Sequence, residues 1–220
     1  MRVALLAAAA VVVLPMASFA QKPAGVDLSE MQKSSESAAK SSLATLAELA
    51  KGESGRSLGF SAPGEADQAV LKQPLTDFIV GLDALRAWQP SDDAKALLKP
   101  SGLIVYPVAS GDAVRSSVTL EKEDNAWKAV AFGAPALTQA VTRTRDAVVG
   151  STHVSASDLF QVRIPAFNLV FVGSLNGDRL MLTPVTDAPQ YDLKAGATVA
   201  ASDLFTRLKP EAEKDKGLPR

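Results

Sequence analysis

Histidine chemistry rests on one residue in this chain. His153 is the only histidine among 220 residues, so a Ser-His-acid triad or an imidazole general base would have to use it. Ser151 and Ser155 each lie two residues away, but neither stands in the G-x-S-x-G pattern of a nucleophile elbow. The surrounding segment GSTHVSAS has the composition of a loop, which favours a solvated histidine over a catalytic one.

Carboxylates are the other groups that could perform general acid-base chemistry. They cluster in three sets: Asp92 with Asp93, Glu121 with Glu123 and Asp124, and Asp158 with Asp203. Sequence spacing gives no distance between them, and most such acids belong to solvated faces or helix caps. We therefore predict no catalytic residue, with an envelope hydrolase that uses His153 or a carboxylate pair as the alternative.

Cofactor and metal motifs are absent from the sequence. It has no P-loop, no G-x-G-x-x-G and no H-E-x-x-H, and it contains no cysteine that could ligate zinc. Asn176, Gly177 and Asp178 suggest a calcium loop, but the further acidic ligands are missing and Asn-Gly is typical of a hairpin turn. The sequence thus predicts neither a cofactor nor a metal site.

Four apolar residues are the candidate partner-binding residues. Phe167, Leu169 and Phe171 alternate with residues that are themselves largely apolar, which is typical of a central strand. If that strand lay at a sheet edge, it would be a site for strand addition by a partner. Trp127 lies on an amphipathic strand, where it is either a core anchor or a platform for a ligand.

The first twenty residues, MRVALLAAAAVVVLPMASFA, have the parts of an export signal. Arg2 precedes an apolar run, and small residues lead to a cleavage site after Ala20. We therefore expect a periplasmic or secreted protein that begins at Gln21 and has no integral membrane span after cleavage. The alternative is a retained anchor, since the nineteen residues between Arg2 and Lys22 carry no charge and approach the length needed to cross a bilayer.

The charge balance argues against nucleic acid as a partner. Without Arg2, the exported chain would have 22 basic and 24 acidic residues, so it lacks the basic surface that phosphate-backbone binding requires. The absence of cysteine means that no disulfide can stabilise the fold. A polypeptide or another envelope protein is the partner that remains to consider, and the sequence leaves the oligomeric state open.

Composition also sets the expected domain boundaries. Residues 21–52 predict a Ser- and Ala-rich helix with Asp27 as its N-cap, whose first half frays because serines interrupt the apolar stripe. The Gly, Ser and Pro content of residues 53–68 is typical of a linker. The helix is therefore expected to be semi-detached from a domain at residues 69–209, and residues 210–220 are expected to form a charged flexible tail.

The clearest β pattern runs from Leu103 to Gly133, where alternating apolar and polar residues predict three antiparallel strands. Pro135 then begins a predicted helix. A second unit has a hairpin around Asn176 and Gly177 and a helix start at Ser202. The predicted fold class is therefore α+β, with a mainly antiparallel sheet built from two strand-hairpin-plus-helix units, helices on one face and the semi-detached N-terminal helix.

The string Ser-Asp-Leu-Phe occurs twice, at residues 157–160 and 202–205. In each copy the serine can cap a helix while the aspartate lies in its first turn, so the string is interpreted as a repeated helix start. A true structural duplication is the alternative.

The segment from Ala140 to Phe171 combines a predicted helix with the sequence VSASDLFQVRIPAFNLVFV. Together with the paired strand-and-helix units, it resembles the small intermembrane-space subunit of the chloroplast protein translocon and its cyanobacterial periplasmic relatives. The hairpin sequence SVTLEKEDNAWKAVAFG departs from that family. The resemblance implies a non-enzymatic envelope protein that assists other polypeptides, with no catalytic residues.

These observations favour an exported, non-enzymatic envelope protein that binds polypeptides in the manner of a chaperone. The envelope hydrolase is one alternative, and a secreted structural domain without a ligand is another. A binding module should expose an apolar groove or a strand edge. A hydrolase should instead bring His153 or paired carboxylates together in a pocket.

Overall fold

The computed structural model describes residues 23–62 and 64–214. The predicted export signal at residues 1–20, the cleavage bond after Ala20 and the last six residues of the predicted tail lie outside these ranges. Within them, every helix is too short or too polar to cross a bilayer.

The described residues form four α-helices and a nine-stranded sheet. The helices are α1 (Leu28–Ala50), α2 (Leu82–Ala87), α3 (Pro135–Ser151) and α4 (Ala201–Lys214). The strands are β1 (Val70–Leu71), β2 (Leu75–Ile79), β3 (Lys99–Ser110), β4 (Ala113–Glu123), β5 (Ala126–Phe132), β6 (Phe160–Ile164), β7 (Leu169–Asn176), β8 (Arg179–Pro184) and β9 (Val199–Ala200).

The strands are ordered β5-β4-β3-β2-β6-β7-β8-β9, and β1 adds to β3 beside β2. Each neighbouring pair is antiparallel except β2 and β6, which are parallel at the centre of the sheet. The predicted α+β class with a mainly antiparallel sheet is confirmed.

The two halves of the chain follow one order of elements. Strands β2 to β5 lead into α3, and strands β6 to β9 lead into α4. Because β2 and β6 are parallel neighbours, the two series of strands extend in opposite directions from the centre of the sheet, as a half-turn about an axis along these strands would arrange them. Such a rotation would exchange the faces of the sheet, and α3 and α4 pack in separate clusters on opposite sides of it.

The larger core lies on the side of the sheet that faces α1, which we call the α1 face. Helices α2 and α4 pack there on β6, β7 and β8, with Phe78 and Phe160 in edge-to-face contact 5.2 Å apart between ring centres. Trp88 and Phe205 make a second such contact, at 5.7 Å. Helix α1 covers β3, β4 and β5 on the same side.

Helix α3 packs on the other side, which we call the α3 face. Its Val141 and Val148 contact Leu75 and Val172, whose side chains alternate with those of the α1 face. The prediction that helices share one face therefore holds for α1, α2 and α4 and is wrong for α3. The parallel pairing of β2 with β6 was not visible in the sequence pattern, and it is what places α3 opposite α4.

The predicted N-terminal helix exists, and the Asp27 carboxylate caps it by accepting a hydrogen bond from the Glu30 backbone N–H at 3.1 Å. It is not semi-detached, however, and its first half packs. The small residues Ser35 and Ala39 are fully buried, and Ser35 Oγ lies 2.7 Å from the hydroxyl of Tyr106 on β3. Small side chains therefore let the helix approach the sheet closely. The serines had been interpreted as an interruption of the apolar stripe that would let this half of the helix fray.

In the segment predicted as a linker, residues 53–62 and 64–68 pack against the sheet. Gly59 has φ of 97°, and a Cβ atom there would collide with the carbonyl oxygen of Arg115 on β4. The Glu65 carboxylate accepts a hydrogen bond from the Ser61 backbone N–H at 2.7 Å and lies 2.8 Å from the Arg115 guanidinium. The hydrogen bond from Ser61 is the main reason that the pKa of Glu65 lies below its ordinary value of 4.5.

The flexible tail was predicted to begin at residue 210, and this boundary is too early. Helix α4 continues through Pro210 to Lys214, and Ala212 is fully buried. Lys209 Nζ donates hydrogen bonds to the carbonyl oxygens of Arg86 (2.7 Å) and Trp88 (2.8 Å). Packing of this last turn on α2 outweighs the backbone hydrogen bond that proline cannot donate.

The repeated Ser-Asp-Leu-Phe string does not mark two helix starts. Residues 202–205 lie in α4, as predicted. In the first copy, Ser157 and Asp158 belong to a 3-10 turn, and Phe160 begins β6. The same four residues therefore adopt two conformations.

The close approach of α1 predicts that bulk at its buried stripe is destabilising. Ala39→Leu should lower the free energy of unfolding by about 2 kcal/mol, because the added atoms have no space between the helix and the sheet. Lys40→Leu, on the exposed side of the same helix, is the matched control and should change it by about 0.5 kcal/mol or less. Urea unfolding measures both, and equal values for the two variants would contradict this packing.

Candidate functional site

The sheet has one long open edge. Strand β5 is its terminal strand, and among the described residues it pairs only with β4. Five of its seven residues are exposed, and only Trp127 and Phe132 are half-buried. At the other end of the sheet the terminal strand β9 has two residues. The edge of β5 is therefore the place where a further strand could be added.

The hairpin between β4 and β5 decides which backbone groups face outward. Its two turn residues, Asp124 and Asn125, have φ of 48° and 64°, as a type I′ turn requires. The closing pair is Glu123 with Ala126. Because hydrogen-bonded and non-hydrogen-bonded pairs alternate from that pair, the N–H and C=O groups of Trp127 and Ala129 point away from β4.

Strand β5 lacks most of the features that block edge pairing. It contains no proline, and its one charged residue, Lys128, has its ammonium 2.8 Å from the Glu123 carboxylate. The other exposed residues of the strand are alanines and Val130, which is 47% exposed. The register with β4 shifts by one residue beside Val130, so a bulge twists the far end of the strand while its first half stays regular.

Trp127, a predicted partner-binding candidate, lies on this edge strand. Its indole Nε1 donates a hydrogen bond to Ser34 Oγ on α1 at 3.1 Å, and its ring packs against the buried cluster beneath that helix. The side chain therefore anchors β5 to α1, while its backbone groups face outward.

The other three candidates lie elsewhere. Strand β7 lies between β6 and β8, and Leu169 and Phe171 are 5% and 0% exposed in the core. The strand is therefore central, as its apolar pattern indicates, and these two side chains are not accessible to a partner, so the alternative of an edge strand does not apply. Phe167 precedes β7 in a 3-10 turn, where its half-buried ring lies 5.4 Å from that of Tyr191.

The predicted hydrolytic groups do not converge in the described residues. His153 is exposed in the loop after α3, and its imidazole makes no hydrogen bond or ion pair with any described residue. It borders a cleft of about 450 Å³ with Ser174, Met181 and Thr198. No carboxylate lines that cleft, so an acid partner for the histidine is missing from it.

The acidic residues that make contacts make them with other groups, as Glu123 does with Lys128. Asp92 accepts a hydrogen bond from the Gln89 backbone N–H at 2.8 Å, and Asp93 accepts one from the Lys95 backbone N–H at 2.9 Å. Asp158 ends the 3-10 turn before β6, and Asp203, in the first turn of α4, accepts a hydrogen bond from Ser202 Oγ at 3.4 Å. Across residues 23–62 and 64–214, no three His, Asp or Glu residues are grouped closely enough to hold a metal ion.

A second surface feature lies on the α3 face. Beside the first turns of α3, a cleft of about 170 Å³ opens over β2, β3 and β4. Apolar side chains form most of its walls: Leu75, Leu103, Val105, Pro107, Leu137 and Val141. One end is polar, because Asp77, Gln161 and Arg163 project from the parallel strands β2 and β6.

These three polar residues form one hydrogen-bonded group. The Asp77 carboxylate is 1% exposed and accepts hydrogen bonds from Gln161 Nε2 and Arg163 Nε, both at 2.8 Å. Arg163 Nη2 donates to the second carboxylate oxygen. Hydrogen bonding to Asp77 raises the pKa of the Arg163 guanidinium above its ordinary value.

Sequence reasoning missed both the open edge and this polar group. The edge depends on the order of strands in the sheet, which cannot be predicted from the alternation of apolar and polar residues alone. The polar group had a signal: Asp77 interrupts the apolar run LTDFIV, and Gln161 alternates with apolar residues in FQVRI. A buried charge in each of two strands is costly unless the charges meet, so such residues are candidates for a pair.

Comparison of the chain with protein-family models, with curated proteins and with solved structures finds no match.

The ion pair predicts strongly non-additive mutations. Arg163→Met should lower the free energy of unfolding by about 2 kcal/mol, less than a fully buried pair would lose because Arg163 is partly exposed to solvent. Adding Asp77→Leu should restore most of that loss, since it removes the uncompensated carboxylate. Urea unfolding of the two single variants and the double variant measures the coupling. A double variant that loses the sum of the single effects would contradict the pairing.

Proposed function

We propose that this chain is an exported, non-enzymatic module that binds extended segments of other polypeptides by strand addition at β5. The bound segment would form a tenth strand, antiparallel or parallel to β5, and would extend the sheet at its open edge. The observation that carries the proposal is that β5 presents a terminal strand seven residues long, largely exposed and without a proline.

The outward backbone groups supply the binding energy. Trp127 and Ala129 each direct one donor and one acceptor away from β4, so an incoming strand gains about four hydrogen bonds along the regular half of β5. Each is worth about 1 kcal/mol net of the hydrogen bonds that water would make. Ordering the bound segment opposes this gain, so binding is expected to be weak and reversible.

The side chains of β5 favour tolerance of many sequences. Alanines and Val130 offer a flat surface without a deep pocket, and Lys128 is already paired with Glu123. Main-chain hydrogen bonds do not discriminate between the side chains of a bound segment, whereas pockets beside the strand do. A module of this kind would bind unfolded segments in general, as a chaperone does.

The proposal includes export, because residues 1–20 have the pattern of a signal. The resemblance of the Ala140–Phe171 segment to the small intermembrane-space translocon subunit suggests the same class of function, that of an envelope protein that assists other polypeptides. A location outside the cytoplasm would bring the edge of β5 into contact with chains that have crossed a membrane unfolded.

Ala129→Pro tests strand addition at the edge. The substitution removes an outward N–H while leaving the hydrogen bonds to β4 in place, and it should weaken binding about fivefold. The probe is a labelled nine-residue peptide of alternating Val and Thr with Lys at each end, and fluorescence anisotropy measures its affinity. Ala129→Ser keeps the N–H and is the matched control, expected to bind within about twofold of the original chain.

A second control changes the probe. The same peptide with proline in place of each threonine cannot pair as a strand and should not bind. Urea unfolding verifies that the Ala129→Pro variant is folded. Equal affinity of the Ala129→Pro and Ala129→Ser variants, or equal binding of the two peptides, would overturn the proposal.

A further inference from the structure

The cleft on the α3 face has unused hydrogen-bonding capacity at its polar end. Gln161 is 6% exposed. Its Nε2 donates a hydrogen bond to Asp77, while its Oε1 has no hydrogen-bond partner among the described residues. Arg163 Nε and Nη2 donate hydrogen bonds to the same carboxylate, and Arg163 Nη1 has no hydrogen-bond partner within the described ranges. The Gln161 Oε1 acceptor and the N–H groups of Arg163 Nη1 therefore remain for a ligand beside the apolar walls of the cleft.

The charges at this end determine which ligand fits. The Arg163 guanidinium lies against the Asp77 carboxylate, so the pair is neutral as a unit. A ligand carboxylate would meet the free Gln161 acceptor and the nearby carboxylate, and a ligand ammonium would meet the guanidinium. A neutral amide suffers neither repulsion, because its carbonyl can accept from Arg163 while its N–H donates to Gln161.

The size of the apolar part sets a further limit. The cleft holds about 170 Å³, a little more than a cavity of about 150 Å³ that accepts benzene in an apolar protein core. Leu103, Val105 and Leu137 contribute aliphatic surface beside this volume. The space therefore suits one branched aliphatic group or one small aromatic ring.

We propose that this cleft binds a neutral amide that carries a small branched aliphatic or aromatic group. The apolar group would lie between β3 and the first turns of α3, with the amide at Gln161 and Arg163. An apolar residue of a polypeptide and a free small amide share this chemistry. The site is independent of strand addition, because no residue of β5 lines the cleft.

The test uses the purified protein and three small probes. They are 4-methylpentanamide, N-acetyl-leucine N-methylamide and 4-methylpentanoate, titrated at pH 7 while NMR follows the Gln161 side-chain amide and Arg163 Nε–H. At least one amide should bind saturably with shifts at both groups, and the carboxylate should bind at least about tenfold more weakly. Binding of the leucine derivative alone assigns the site to polypeptides, and binding of 4-methylpentanamide shows that it also takes free amides.

Thr119 provides a matched pair of variants for the same titration. It lies on β4, is half-buried and borders the cleft. Thr119→Phe should fill the space and weaken amide binding at least about tenfold, while Thr119→Val, of nearly the same shape, should stay within about twofold. An unchanged affinity in the folded Thr119→Phe variant, or tighter binding of the carboxylate than of either amide, would overturn the inference. So would the absence of saturable shifts at Gln161 and Arg163.

Discussion

The parallel contact between β2 and β6 is the constraint on which the rest of the structure depends. Phe78 pairs with Val162 in this contact and packs in the core of the α1 face, while Asp77 pairs with Gln161 on the α3 face. Phe160, at the start of β6, fills the space that Gly173 leaves on β7, where a Cβ atom would collide with its ring. One pair of strands therefore joins the two halves and supplies both an apolar core and a polar group.

The opposite placement of α3 and α4 follows from this contact, and so do the two surface features. Each half has one face covered by its own helix. Helix α1 covers the α1 face of β3, β4 and β5, and α3 covers part of the other face, so a cleft is left beside its first turns. Strand β5 is the last strand of its half, and no described element pairs with its outer side. The edge and the cleft are thus consequences of one topology.

Local patterns were sufficient to predict α1, α3 and the hairpins from Leu103 to Gly133, because periodicity, caps and turn residues act over a few positions. They were insufficient for β6, whose pairing with β2 joins residues 84 positions apart. They also misjudged the serines of α1, since Ser35 is a good packing residue only when Tyr106 lies opposite. Both errors have one cause: the role of each residue in pairing or packing depended on an element distant in sequence.

The central claim is that the outward backbone groups of β5 bind an extended polypeptide. Amide hydrogen exchange tests it most directly, with the alternating Val and Thr peptide added at saturating concentration. The Trp127 and Ala129 amides should exchange rapidly in the free protein and become protected in the complex, while the Lys128 amide should be protected in both. Protection of Trp127 and Ala129 without peptide, or no change on saturation, would contradict it.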